Sequence, residues 1–226
     1  MSRLIERLKA AAGSEWTRYV EHDYIRKLAE NRLPEAAFRH YLVQDYLFLI
    51  QFARAQALAV YKSRTLGEMR IAKASMSAIL DTELGLHVRV CAGWGLSPSD
   101  LDEAEEHPAT VAYTRFVLDA GMSGDLLDLR AALAPCVVGY AEIAGAIVAD
   151  VRSVPDHPQA AWTEEYAGAG YQDVAEAARR ELDRLGADGI GPARMARLER
   201  IFTTACTLES AFWQMALDAA QPEFAT

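Results

Sequence analysis

Apolar residues recur at intervals of three and four along almost the whole chain, the spacing that lines one face of an α-helix. Between Pro34 and about Lys62 the stripe runs through Phe38, Tyr41, Leu42, Leu49, Phe52, Ala53 and Leu58, after an Asn31-Arg-Leu-Pro34 stretch that suits a helix start. A second stripe runs from about Leu66 to Val90 and stops near Gly93-Trp94-Gly95, with Ser97-Pro98 closing the connection. Helical patterns also cover 3–30, as one or two helices, and 108–120, 124–151, 159–168, 171–186 and 191–220. Gly121-Met-Ser-Gly124, Val154-Pro-Asp-His-Pro158, Gly168-Ala-Gly170 and Gly186–Pro192 punctuate them. Runs of alternating β-branched residues do not occur and alanine is abundant, so the pattern predicts an all-α bundle. No repeat, low-complexity block or long linker divides the chain, and residues 1–226 read as one domain. The most apolar window, 131–149, is interrupted by Pro135, Gly139, Glu142 and Gly145, and reads as a core helix rather than a membrane span.

Composition narrows the function classes. The chain has 226 residues, 51% of them apolar, enough to bury a sizeable core. Its 32 acidic against 23 basic side chains give a net charge of −9, and the basic residues are scattered. That argues against nucleic acid as the main partner, which needs clustered Lys and Arg. The first residues, MSRLIERLKAAAGSEW, are amphipathic and lack the apolar h-region of a signal peptide, so a cytoplasmic location is expected. The three cysteines, Cys91, Cys136 and Cys206, have neither CxxC nor zinc-ligand spacing, which fits a reduced compartment better than a disulfide framework.

In a bundle, the informative residues are polar side chains on stripes that should be apolar, because burying an unpaired charge is costly or shifts its pKa. Asp45 shares a helical face with Tyr41, Phe48 and Phe52. It is either an acid at the core edge bonded to a Tyr or Arg, or a functional carboxylate. Glu209 sits in the middle of the face formed by Phe202, Ala205, Cys206, Phe212, Trp213 and Ala216. A buried glutamate has the raised pKa a general acid near neutral pH requires; a buried Arg–Glu pair is the structural alternative. Cys136 follows Pro135, where the helix either starts or kinks. A start would place the thiol at a helix N-terminus and favour the thiolate; a kink would not, and buried cysteines are commonly inert. The five histidines, His22, His40, His87, His107 and His157, form no metal motif beyond the Glu83/His87 i, i+4 pair, so surface or capping roles are expected for them.

Taken together, several blocks resemble the TenA family, also called thiaminase II, which has the haem-oxygenase-like helical fold. They are Gln44-Asp-Tyr-Leu-Phe-Leu49, Pro108–Thr114 with Tyr113, Ala134-Pro-Cys-Val-Val-Gly-Tyr-Ala-Glu-Ile143, Trp162-Thr-Glu-Glu-Tyr166 and Glu209–Ala216, in family order over most of the chain. The resemblance implies hydrolysis of 4-amino-5-aminomethyl-2-methylpyrimidine, or of thiamin, to the hydroxymethyl pyrimidine, a thiamin-salvage reaction without a cofactor or catalytic metal. It matches Cys136 to the family nucleophile, which puts the chain in the cysteine-containing branch. Asp45 and Glu209 match the catalytic carboxylates, and Tyr113, Tyr140 and Tyr166 the hydroxyls lining the site. Phe48 occupies the position where the family places an aromatic against the pyrimidine, and Phe212 is the expected second ring contact. Family members are usually homotetramers, which sets the same expectation here.

These residue types suit the chemistry. An amine on the methylene of a pyrimidine leaves only once a nucleophile has added to the ring, the role of Cys136. Asp45 would orient the ring through its amino group and nitrogen, and Glu209 would protonate the departing amine and then take a proton from water. Two other function classes compete: an iron or haem protein of the same fold with His22 as ligand, and a non-catalytic regulator.

Overall fold

The computed structural model describes residues 3–221, and every regular element among them is helical. They group into two compact units, each assembled from discontinuous segments. One, the Asp45 unit, comprises Pro34–Leu129 and the described residues from Met215 onward; the other, the Cys136 unit, comprises the described residues up to Leu33 together with Arg130–Gln214.

The Asp45 unit is organised on α4 (Glu35–Lys62), numbered after the three short helices of the other unit's first segment. Its buried positions run through Ala37, Phe38, Tyr41, Leu42, Gln44, Asp45, Leu49 and Phe52 and spread over more than one face, so it is packed from several sides. Against it lie α5 (Leu66–Ala78), α6 (Leu84–Ala92), α7 (Pro98–Asp102) and α8 (Pro108–Ser123). Gly121 permits close approach of α8: a Cβ there would stand 2.8 Å from a Leu58 methyl and 2.9 Å from one of Leu129. Thr65 starts α5 with a capping box, its hydroxyl accepting from the Glu68 N–H while the Glu68 carboxylate accepts from the Thr65 N–H.

In the Cys136 unit, α1 (Leu4–Ala12), α2 (Ser14–Val20) and α3 (Asp23–Ala29) precede the long helical run. That run comprises α9 (Leu126–Ala134), which enters this unit at Arg130, a π turn at Pro135–Gly139, and α10 (Tyr140–Ser153). α10 packs on α3, α11 (Ala160–Ala167) and α12 (Ala169–Leu185), and α13 (Pro192–Asp218) contributes its residues up to Gln214. Leu126–Ser153 is long and apolar enough to cross a membrane, with a mean hydropathy of 1.8 in its best window; 72% of that window is buried in protein, as the core-helix reading expects.

The predicted helices are present with ends close to those read from the pattern, and the departures have local causes. The stretch 3–30 forms three helices, because Gly13 takes a left-handed φ of 51° and the Glu21–His22 step breaks the second. The single helix expected over 66–90 is widened at Ile79–Glu83 into a π turn, where the Leu84 N–H reaches back to the Ile79 carbonyl. Ser97-Pro98 opens α7 instead of closing a loop: Ser97 caps it, Pro98 takes the first turn, and Asp100 completes a second capping box.

Candidate active site

Asp45 lies in the middle of α4 and is 4% exposed. The Tyr41 hydroxyl, one turn earlier, donates to its Oδ2 at 3.0 Å, and His87 Nε2 on α6 meets the same oxygen at 2.7 Å. His87 is 1% exposed, and its Nδ1 lies 2.9 Å from the Glu83 carbonyl, an acceptor only, so Nδ1 is the donor. Burial pulls the imidazole pKa down, but the hydrogen bond and charge of Asp45, with the Glu83 charge and carbonyl, outweigh it and the net direction is up. The expectation of a surface or capping role for His87 is therefore corrected: it is a core residue paired with the candidate carboxylate. Its sequence signal was the one that picked out Asp45, a polar residue on the Leu84, Val88, Cys91 stripe of its helix.

The neighbouring Gln44 fixes α4 on the other side of that turn. Its Nε2 donates to the Glu105 carbonyl at 2.9 Å, while Oε1 accepts from the His107 N–H at 2.9 Å and from the Thr110 hydroxyl at 2.6 Å. The amide is thus satisfied at both ends, and it pins the start of α8 to the helix that bears Asp45. On that helix pair the Phe48 and Tyr113 rings lie 5.0 Å apart, inclined by 34°, both buried. The sequence-predicted Asp45, Phe48 and Tyr113 thus belong to one buried α4–α8 layer, and His87 and Tyr41 join them.

In the Cys136 unit the chain does not start a helix at Pro135: it runs through, widened into the π turn that contains Cys136. The helix-terminus argument for a thiolate therefore does not apply, and the kink alternative is the one observed. Proline lacks the N–H of the helical ladder and its ring clashes with the preceding turn, which a π turn accommodates. The Tyr19 hydroxyl donates to the Pro135 carbonyl at 3.2 Å, and the Tyr19 ring covers Gly139, where a Cβ would stand 2.3 Å from Cε1. Cys136 is 7% exposed, whereas Cys91 and Cys206 are fully buried. Burial pushes the Cys91 thiol up to about 11, and burial with the nearby Glu209 charge pushes Cys206 higher still, so neither is a nucleophile near neutral pH.

Tyr140 and Tyr166, both expected to line the site, pack in one aromatic cluster with centroids 5.1 Å apart. Trp162 joins them at 4.9 Å from Tyr166, and Trp213 at 5.3 Å from Tyr140. Phe212 and Glu209, on α13, are buried, Glu209 at 1% exposure. Three of the remaining histidines cap backbone, as expected: His22, His107 and His157 accept from the N–H groups of Tyr24, Ala109 and Gln159. His22, the candidate iron ligand, thus uses Nδ1 to cap α3. Among the described residues no group of three or more His, Cys, Asp or Glu side chains is arranged to hold a metal ion.

The all-helical fold defines the class, and comparison with known proteins defines the family. The TENA/THI-4/PQQC family model matches residues 10–219, and the chain belongs to that family. A protein of Haemophilus influenzae named only as uncharacterized is 40% identical over 96% of this chain and 100% of its own length. A Halalkalibacterium halodurans protein named aminopyrimidine aminohydrolase is 33% identical over 89% of each chain. Among solved structures, a TenA family transcription regulator from Silicibacter sp. TM1040 superposes with a TM-score of 0.89 at 41% identity, covering 95% of this chain and 96% of that one. A Shewanella denitrificans domain of haem oxygenase-like fold, at a TM-score of 0.75 and 12% identity over 95% and 92% of the two chains, shows the fold alone.

Proposed function

We propose that this protein is an aminopyrimidine aminohydrolase of thiamin salvage, converting 4-amino-5-aminomethyl-2-methylpyrimidine and water to the 5-hydroxymethyl pyrimidine and ammonia, with thiamin as a second substrate. The reading draws on the family membership and on the relatives named for that activity. The observation that supports it most directly is the buried Asp45 carboxylate, anchored through Oδ2 alone by Tyr41 and His87. Oδ1 has no hydrogen bond among the described residues. With Oδ2 anchored, Oδ1 is left to accept from the amino edge of an aminopyrimidine.

In the proposed reaction Cys136 adds to the pyrimidine ring as the thiolate, and the protonated ring nitrogen beside the amino group held by Asp45 takes up the displaced electron pair. Glu209 gives a proton to the departing amine, and ammonia leaves from the methylene. Glu209 then takes a proton from water as the oxygen bonds to that methylene, and the ring expels the thiolate and recovers its aromaticity. By the family resemblance, Tyr113, Tyr140 and Tyr166 would supply hydroxyls and Phe48 and Phe212 apolar surface for binding an aminopyrimidine. We further propose a cytoplasmic homotetramer, in keeping with the family and with three cysteines that form no disulfide.

The test is product formation from the aminomethyl pyrimidine by the wild type and by Cys136→Ser. Loss of turnover by at least about 10³-fold in the variant is expected. Equal rates in the two, or none in either, would overturn the mechanism. Iodoacetamide at pH 8 should label Cys136 in preference to Cys91 and Cys206, and the hydroxymethyl pyrimidine should protect it; labelling unaffected by that compound would mean that it binds away from the sulfur.

A further inference from the structure

We propose that His87 is a positioning residue for the ligand-binding carboxylate: a buried imidazolium that holds Asp45 as the anion by its Oδ2 and leaves Oδ1 to receive the N–H donors of an aminopyrimidine. This rests on the reading of Asp45 given above. The two ring nitrogens of His87 face different partners. Nδ1 faces the Glu83 carbonyl at 2.9 Å and must donate to it, which leaves Nε2 either a second N–H, as in the cation, or a bare acceptor facing a protonated acid.

The partners of Asp45 choose between these. Oδ2 accepts from the Tyr41 hydroxyl at 3.0 Å and meets Nε2 at 2.7 Å, the short distance of a charge-assisted bond. Two donors converging on one oxygen suit a carboxylate better than a carboxylic acid whose only proton would sit on that same oxygen. The charged groups that act on His87 are Asp45 on α4 and Glu83 on its own helical run, both acids, and together they raise its pKa against the opposing effect of burial. The backbone contributes as well. The π turn Ile79–Glu83 ends at the residue whose carbonyl holds Nδ1, so the register of α6 and the aim of Nε2 are set together.

A fixed anion also carries a specificity consequence. An oxygen that cannot donate binds a ring edge offering two N–H groups, the 4-amino group and a protonated neighbouring nitrogen, and discriminates against a ring with a carbonyl at that position. Uracil-like rings should therefore be excluded at this edge.

Two measurements test the proposal, and the first does not depend on turnover. In ¹⁵N-histidine-labelled wild-type protein at pH 7.5, both His87 ring nitrogens should carry protons, and Asp45→Asn should convert the ring to a neutral tautomer. A neutral His87 in the wild type would overturn the proposal whatever the activity.

The second is a cycle of Asp45→Asn, His87→Gln and the double variant, read as kcat/KM for the aminomethyl pyrimidine. His87→Gln is expected to lower it by about 10- to 100-fold, with little further loss when added to Asp45→Asn. Losses that multiply would mean that His87 acts independently of Asp45, and would sink the proposal. If the wild type turned over no aminomethyl pyrimidine, the proposed function would fail while the nitrogen spectra still decided the charge of His87.

Discussion

The π turns Ile79–Glu83 and Pro135–Gly139, one in each compact unit, have the same outline and different origins. In both, a side chain claims a carbonyl of the turn: His87 Nδ1 that of Glu83, Tyr19 Oη that of Pro135. The first contact is made from four residues along the same helical run, the second from α2, 116 positions away. In the second turn Pro135 supplies a local reason for the widening, since an α-helical ladder cannot use its missing N–H. Nothing in Ile-Leu-Asp-Thr-Glu compels the first. There the geometry is tied to what His87 gains from Asp45, so one turn is written into the chain locally and the other depends on a tertiary pair. Both present chemistry, a thiol in one case and the partner of a carboxylate in the other, in keeping with the frequency of π turns at functional positions.

The largest effect should come from removing the tertiary support. His87→Leu leaves Asp45 buried without its counter-charge and should cost about 3–5 kcal/mol in urea unfolding. Its pH dependence has a defined sign. The folded-state pKa of His87 is raised above its ordinary value of 6.5, so the stabilisation is fully present below about pH 6.5 and fades as pH rises through the folded value. The difference between wild type and His87→Leu should therefore be greatest near pH 6 and shrink toward high pH. A difference that grew with pH would mean that His87 is neutral in the folded state, and the contrast between the two turns would lose its electrostatic half.

Next in size is overpacking of the proline-bearing turn. In Gly139→Ala the new methyl would sit 2.3 Å from Tyr19 Cε1 on a ring that is fully buried, so either α2 or the turn must move. A loss of about 1–3 kcal/mol is expected, with a fall in turnover as the Pro135 carbonyl loses the Tyr19 hydroxyl. Unchanged stability would show that Tyr19 can rotate away freely and is no clamp.

These contrasts also mark what was legible in the sequence. Helix positions were, because a stripe such as Phe38, Tyr41, Leu42, Leu49 needs only a period, and Asp45 and Glu209 were, because a carboxylate in such a stripe breaks the pattern. The π turns were not: widening by one residue changes no composition, and only Pro135 hinted at it. His87 stood in an equally apolar stripe, yet histidine is amphipathic enough to pass as a cap, the role that three of the other four do play. Its partner lies 42 positions away on another helix, a pairing that one sequence does not encode in any readable period.

A smaller capping effect calibrates the scale. Thr65→Ala removes one half of the capping box of α5 and should cost about 0.5–2 kcal/mol, without altering turnover, since it touches neither π turn. A drop in kcat would mean that the register of α5, and through it the Ile79–Glu83 turn, is set from its N-terminus.

The smallest stability change and the sharpest test of the local turn come from Pro135→Ala. Alanine restores the missing N–H and is a strong helix former, so the run from α9 into α10 can tighten toward regular α geometry. Stability should stay level or rise by up to about 1 kcal/mol. Yet removing the widening reshapes the backbone around Cys136, which lies inside the turn, and rotates the residues after Gly139 by part of a turn. If the π turn exists to aim that thiol, turnover of the aminomethyl pyrimidine should fall at least about 10-fold, and the alkylation rate of Cys136 should change with it, in a protein no less stable than the wild type. Full activity in Pro135→Ala would separate the two turns completely: the proline-bearing one would be a packing accommodation around Tyr19, and only the turn beside His87 would have a part in the chemistry.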